Sequence, residues 1–195
     1  MSRKCYRFYG GLIASQERWL NKMAKSGYRL IRTGKLLYEF EECKPEQYQY
    51  CVEFIGQKSK ESAAGYARFL EDCGYRVFFK NINLNGNLGK AVVRPWAEQG
   101  GRIATNSTTL NRELMIVEKE DDGKLFELHT TYEDKQEYYK NMRRPWIFIF
   151  IVSAILGTVT RMLVWGVFAV VSLIALAVFW LELGKLKKEA DIKEM

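Results

Sequence analysis

From Trp146 to Leu181 the chain reads WIFIFIVSAILGTVTRMLVWGVFAVVSLIALAVFWL, 36 residues with a single charge, Arg161. No other stretch restricts the fold so strongly. As one straight helix the run would be about 54 Å long, against a bilayer hydrocarbon core of roughly 30 Å. One span does not fit, so the sequence predicts a break at Gly157-Thr158-Val159-Thr160-Arg161 and a second span from Met162 to Leu183. The first span has only Trp146 to Leu156 as uninterrupted apolar sequence. Either it begins upstream near Tyr138, with Lys140, Arg143 and Arg144 reaching back to the headgroups, or it is re-entrant.

Charge decides the expected topology. Lys135, Lys140, Arg143 and Arg144 precede the apolar pair, and Lys185, Lys187, Lys188 and Lys193 follow it. Positive flanks are retained on the cytoplasmic side, so positives at both ends favour an even number of crossings. The expected arrangement is a multi-pass hairpin of two membrane helices over 146–183 with both termini cytoplasmic, preceded by a juxtamembrane helix over 131–145 and followed by a basic tail, 184–195. Its interface residues are Lys140, Arg143, Arg144, Trp146, Trp180, Lys185, Lys187 and Lys188, with the indole rings at headgroup level. Arg161 falls in the outer loop. A buried helical pair in a soluble protein is the competing reading, which the length of the run disfavours.

The remaining sequence, residues 1–130, is expected to form a cytoplasmic domain. The chain is basic, with 30 Lys and Arg against 23 Asp and Glu, but unevenly so: residues 1–40 carry nine basic and two acidic side chains, residues 96–145 eight and ten. A positive N-terminal region suits anionic lipid, nucleic acid or an acidic partner. A solvated basic face is the plainer account, and no direct nucleic-acid binding is expected. Cys5, Cys43, Cys51 and Cys73 form no C-x-x-C pair, and the N-terminus lacks the apolar core of a signal peptide. They read as reduced thiols, with Cys5, Cys51 and Cys73 as small apolar side chains.

A phrase occurs twice, KSGYRLI at 25–31 and DCGYRVF at 72–78. Before Gly27 lies SQERWLNKMAKS, where Ser15 is the expected N-cap and Trp19, Leu20, Met23 and Ala24 form one apolar stripe. Before Gly74 lies SKESAAGYARFLEDC, with Ser59 or Ser62 as cap and Ala63, Tyr66, Ala67, Leu70 and Cys73 as the stripe. Both helices are expected to end on Gly and release into a strand. Strand-like runs precede them, KCYRFY at 4–9 and YCVEFI at 50–55. The pairs Cys5 and Cys51, and Phe8 and Phe54, are 46 residues apart, and Gly27 and Gly74 are 47 apart. A Thr-Gly-Lys turn and LLYEFEE complete the first unit as strand, helix, strand, strand, over about 4–42. The second unit runs over 50–95 if its last strand is KAVVRP, or over 50–119 if it is RELMIVEK. A hairpin of ELMIVE with KLFELHT is expected next.

Right-handed crossovers then place both helices on one face of one sheet. The predicted fold class is α+β, an open-faced ferredoxin-like sandwich built from two strand-helix-strand-strand repeats and followed by the C-terminal transmembrane hairpin. Tyr28, Leu30, Tyr75, Val77 and Phe79 should face the helices. Arg7, Arg29, Glu53, Arg76 and Phe78, with Ile31, should lie on the open face, the candidate partner-binding site. Either a ligand, peptide or second copy binds there, or residues 97–130 cover it.

The order Glu17-x-Trp19-Leu20-x-x-Met23-Ala24-x-x-Gly27-Tyr28-x-Leu30, then Tyr38-x-Phe40, Tyr48-x-Tyr50, a helix ending Gly74-Tyr75 and a C-terminal membrane hairpin resembles the bacterial family called domain of unknown function 2812. The resemblance covers roughly residues 3–80 and the general layout, and the chain departs from it over 81–112. It implies a small protein of the bacterial cell membrane, often encoded beside PadR-like transcriptional regulators, and hence a regulatory or sensory role. It carries no catalytic residue.

Chemistry-bearing patterns are scarce. His129 is the single histidine and has no Cys or carboxylate at ligand spacing, so it reads as a strand residue. Gly86-Asn87-Leu88-Gly89-Lys90-Ala91 lacks the spacing and the Ser or Thr of a phosphate loop and reads as a turn. No catalytic residue, cofactor or metal is expected. The expected function is a membrane-anchored binding or sensory module that recognises a ligand or a protein partner, such as a transcription regulator. The alternatives are an accessory subunit that docks on membrane proteins, or on a second copy, through Ser153, Ala154, Gly157 and Gly166, and an enzyme of a type no motif reveals.

Overall fold

Two glycines, Gly10 and Gly11, with φ of 54° and 85°, turn the chain from its first strand towards its first helix. The computed structural model describes residues 2–56, 58–82, 86–88, 91–93, 103–104, 113–124, 126, 128 and 132–193. It contains two compact units, Met1–Thr130 and Thr131–Met195.

The first unit begins with β1 (Ser2–Tyr6), α1 (Ile13–Lys25), β2 (Tyr28–Thr33) and β3 (Leu37–Glu42). It continues with β4 (Tyr48–Phe54), α2 (Lys60–Asp72) and β5 (Arg76–Lys80). Three short strands follow, β6 (Gly86–Leu88), β7 (Ala91–Val93) and β8 (Ile103–Ala104), and then β9 (Leu114–Glu120). Helix α1 starts two residues before the expected cap. Leu12 stands at its N-cap position with no side-chain hydrogen bond. Burial of Ile13 and Ala14 outweighs the cap that Ser15 would supply, and Ser15 instead accepts a hydrogen bond from Arg18. Ser59 does cap α2, accepting from the Ser62 N–H. Both helices pass into a strand through a glycine of positive φ, Gly27 at 80° and Gly74 at 87°.

The sheets depart from the expected single layer. Strands β1-β3-β2 form one three-stranded antiparallel sheet, β4-β9-β5 a second, and β6-β7-β8 a small third. In the first two, the last strand of each half enters between the other two and takes up their facing edges. Each half therefore completes a sheet of its own, and β1 runs parallel to β2, as β4 does to β5. The strand that completes the second half is β9, from the RELMIVEK alternative, whereas KAVVRP supplies β7 of the small sheet. The expected KLFELHT strand falls largely outside the described residues, which include only Lys124, Phe126 and Leu128 of 124–130.

Leu20, Met23 and Ala24 of α1 are buried, as are Leu30, Tyr38 and Phe40, and Trp19 packs edge-on against Tyr38 and Phe40. Beneath α2 lie Cys51, Ile55, Met115, Val117 and Phe126, with Tyr75, Val77 and Phe79 packed against them. Cys73, expected in the α2 stripe, is exposed. Helix α1 also runs beside β4: Asn21 donates to the Tyr50 carbonyl and accepts from its N–H, and Glu17 accepts from the Val52 N–H. The edge of β4 not used by β9 is thus closed by two side chains of a helix.

The second unit is a helical pair, α3 (Tyr132–Thr160) and α4 (Leu163–Lys193). Helix α3 is continuous, so the expected juxtamembrane helix and first apolar segment are one element, with Pro145 inside it. The break falls where composition put it, with Arg161 at φ 53° between the helices. Both helices are long and apolar enough to cross a membrane, over Lys135–Thr160 and Leu163–Lys188. Ile151, Ile155, Val167, Val171 and Ile174 are exposed along their flanks.

Candidate functional site

The five residues expected on one open face are divided by the fold. Register places Tyr50, Glu118 and Arg76 side by side on the second sheet, on the face away from α2. That face is turned towards the first half. Arg29 of β2 donates from Nε and Nη2 to Glu118 Oε1 at 2.9 and 2.8 Å, and Tyr50 donates to Glu118 Oε2 at 2.7 Å. The Tyr50 hydroxyl in turn accepts from the Leu30 N–H. The Glu118 side chain is 2% exposed. Arg29 also lies over the Tyr48 ring at 4.2 Å and within 3.8 Å of Glu41, so it is committed inside the fold rather than displayed. Its hydrogen bonds to Glu118 raise its pKa, while burial pushes the Tyr50 hydroxyl up.

Glu53 is on the opposite face, opposite Met115 beneath α2, and is 3% exposed. Burial first, and then the Glu53 carboxylate, keeps the Tyr66 hydroxyl protonated. Arg7 follows the alternation of Arg3 and Cys5, which pair with Phe40 and Tyr38 on the α1 side, and stacks over Trp19 at 4.8 Å. Its neighbours Tyr6 and Phe8 point outward, 72% and 60% exposed. Arg76 is exposed, lies over Phe78 at 4.9 Å and donates to the Ile31 carbonyl at 3.4 Å. Arg7 and Arg76 are thus exposed cations stacked on rings; Arg29 is half-buried and engaged within the fold, and Glu53 is buried.

Sequence reasoning passed over Lys80. Its ammonium reaches across from β5 to donate to the Gly34 and Lys35 carbonyls at 2.6 and 3.0 Å and lies 4.2 Å from the Tyr38 ring centre. Burial brings its pKa down to about 8. The signal was a lysine ending an apolar strand at an inward position. Glu118, a carboxylate within LMIVEKE, was a similar signal. His129 lies outside the described residues, as does most of the first part of the 97–130 segment expected over the open face, of which β8 and β9 are described.

In the second unit, six of the eight expected interface residues line one groove of about 750 Å³ at the open end of the helical pair: Lys140, Arg143, Trp180, Lys185, Lys187 and Lys188. Arg144 and Trp146 do not line it. Ring contact between Tyr139 and Phe179, 6.2 Å apart, holds the helices together just inside it.

These elements define an α+β protein with two three-stranded sheets, a small third sheet and a C-terminal pair of long apolar helices. The chain belongs to the protein family of unknown function DUF2812, whose profile matches residues 13–151, from α1 to the middle of α3. The matched range spans 81–112, where the sequence departed from the expected pattern. No curated protein and no solved structure matches the chain.

Proposed function

We propose that this protein is a membrane-anchored binding module: the α3–α4 pair crosses the bilayer as a hairpin, and the α+β unit on the cytoplasmic side captures a ligand or a protein partner with a regulatory consequence. The observation that carries the reading is the apolar flank of both helices, since a soluble helical pair would bury such side chains instead. The two halves of the first unit are read as repeats of one strand-helix-strand-strand unit of ferredoxin-like descent, supported by their equal strand order. Partner recognition falls to exposed residues, Arg7 and Arg76 with their stacked rings and the outward Tyr6 and Phe8, because Arg29 and Glu53 already have partners within the fold. A transcription regulator and a second copy are the partners to look for.

The test has two stages. Membranes washed with alkaline carbonate should retain the protein; release into the wash would reject anchoring. Detergent-solubilised protein should then co-purify a partner, and Arg7→Ala with Arg76→Ala should lower its yield without altering membrane retention. Undiminished yield would reject this surface.

A second reading has a specific observation behind it. Near the α3–α4 turn, Ser153, Ala154, Gly157 and Gly166 line a groove of about 550 Å³; Ser153 is buried and Gly157 faces Trp165, but Ala154 and Gly166 are exposed, with nothing within 4 Å of a Cβ at Gly166, so another helix can approach there. On that reading the hairpin docks on a membrane protein. Gly166→Leu should then abolish co-purification while the Arg7 and Arg76 substitutions leave it intact.

A further inference from the structure

The groove at the open end of the helical pair has a composition that specifies an occupant. Lys140 and Arg143 enter it from α3, and Lys185, Lys187 and Lys188 from α4. Among the described residues the carboxylate in ion-pair contact with them is Glu182, buried and 3.7 Å from Lys185, and Lys140 makes a long hydrogen bond to Gln136 at 3.5 Å. Among the described residues, then, one carboxylate faces five cations, which it does not neutralise. Arg143 adds a second, independent sign: its Nε is sealed from solvent and has no hydrogen-bond partner among the described residues. A guanidinium N–H in that position is costly unless an acceptor enters the groove.

The walls say which acceptor. Trp180 and Leu181 border the cations and are 68% and 56% exposed, so an apolar surface adjoins the charges. Leu163 to Trp180 is about 26 Å of helix, close to the roughly 30 Å of a hydrocarbon core. The groove therefore sits at headgroup level, with Trp180 at the boundary. A free anion would use the cations and leave the apolar wall bare, whereas a phospholipid uses both.

We propose that this groove is a discrete binding site for an anionic phospholipid, its phosphate oxygens on Arg143 and the surrounding lysines and its upper acyl chain along Trp180 and Leu181. The proposal rests on the membrane reading above. It goes further than general attraction to a charged surface, because it requires a lipid held between two helices in fixed number.

Full-length protein should be extracted in detergent containing an equimolar mixture of phosphatidylglycerol and phosphatidylcholine, and the lipids it retains counted by native mass spectrometry. Retention of one or two phosphatidylglycerol molecules per chain, with a preference of about tenfold, is expected. Arg143→Gln should reduce that preference to near parity, Arg143→Lys should restore part of it, and the exposed pair Lys187→Gln/Lys188→Gln should weaken it with unchanged thermal melting. Equal retention of both lipids by the wild type would overturn the site, as would displacement of phosphatidylglycerol by excess inorganic phosphate, which would mark an anion site. If Arg143→Gln fails to fold, the wild-type preference and the lysine pair decide. Flotation with vesicles of pure phosphatidylcholine separates the two claims: a protein that inserts there but shows no lipid preference sinks only the lipid site, and one that does not insert sinks the membrane reading.

Discussion

Gly27 and Gly74 share a backbone conformation and differ in what surrounds it. A Cβ at Gly27 would meet the Cys43 carbonyl oxygen at 3.0 Å, whereas a Cβ at Gly74 would meet nothing within 4 Å. Gly74→Ala is therefore expected to cost about 1 kcal/mol, the penalty of positive φ alone, and Gly27→Ala clearly more, read from denaturant midpoints. Equal midpoints would show that Cys43 yields. The arginines divide in the same way. Arg29→Ala leaves Glu118 with Tyr50 as its remaining donor and should cost about 2 kcal/mol; Arg76→Ala, at an exposed site, should cost about 0.5 kcal/mol. Lys80 gives the unit a pH signature. Between about pH 8 and pH 10 the unfolded chain keeps a proton that the folded chain has released, so stability should rise with pH. Above the ordinary tyrosine value of 10.0, Tyr38 and Tyr50 keep protons that the unfolded chain gives up, and stability should fall. Melting curves across this range should pass through a maximum, and Lys80→Met should remove the rise while keeping the fall.

Among elements, the α1–β4 contact is the one with most at stake. Asn21→Ala would leave both backbone polar groups of Tyr50 without their side-chain partner on a strand edge and should cost about 2 kcal/mol. Hydrogen exchange should quicken at the Tyr50 amide more than at the Cys51 amide. Equal protection would mean that the edge is closed by other groups. This contact also shows where sequence legibility ended. Each half was readable from local rules: glycine at positive φ after Ala24 and Leu70, period-two alternation in Tyr75, Val77 and Phe79, and Ser59 at a helix start. Those rules act within one strand or one helical turn. Whether β9 or β7 completes the second half depends on pairing across more than thirty intervening residues, for which the strands carry no marker. The open face failed for the same reason. Alternation correctly put Arg29 and Arg76 on faces away from their own helices, but those faces are turned towards the other half, so Arg29 finds Glu118 rather than solvent. Arg7 was expected on the open face, whereas β1 turns Arg3, Cys5 and Arg7 to the α1 side and, as an edge strand, leaves Tyr6 and Phe8 exposed. Composition alone places cations and tryptophans at the ends of the apolar helices; that six of them share one groove required the pairing of α3 with α4.

For the whole molecule, the consequence of a helical pair is that its two ends return to one side. Helix α3 leads away from Tyr132 to Thr160, the chain reverses through Arg161 and Met162, and α4 leads back to Lys193. If both helices cross, Cys73 in the first unit and a cysteine introduced after Lys193 share a compartment, and Arg161 lies in the other. Basic residues crowd the open end while Arg161 alone marks the turn, so the open end is expected on the cytoplasmic side. Cys73 is exposed in the folded unit and serves as a native reporter, the less exposed Cys5, Cys43 and Cys51 being replaced by Ser to remove background. In intact cells an impermeant maleimide should leave Cys73 and a cysteine after Lys193 unlabelled and should label Arg161→Cys; after permeabilisation all three should react. Labelling of the C-terminal cysteine together with Arg161→Cys would mean a single crossing with the second segment lying outside. Protection of Arg161→Cys until permeabilisation would mean that the hairpin enters the bilayer without crossing it, the outcome to expect if Pro145 and the charges at Lys140, Arg143 and Arg144 shorten the first span beyond what snorkelling side chains can compensate.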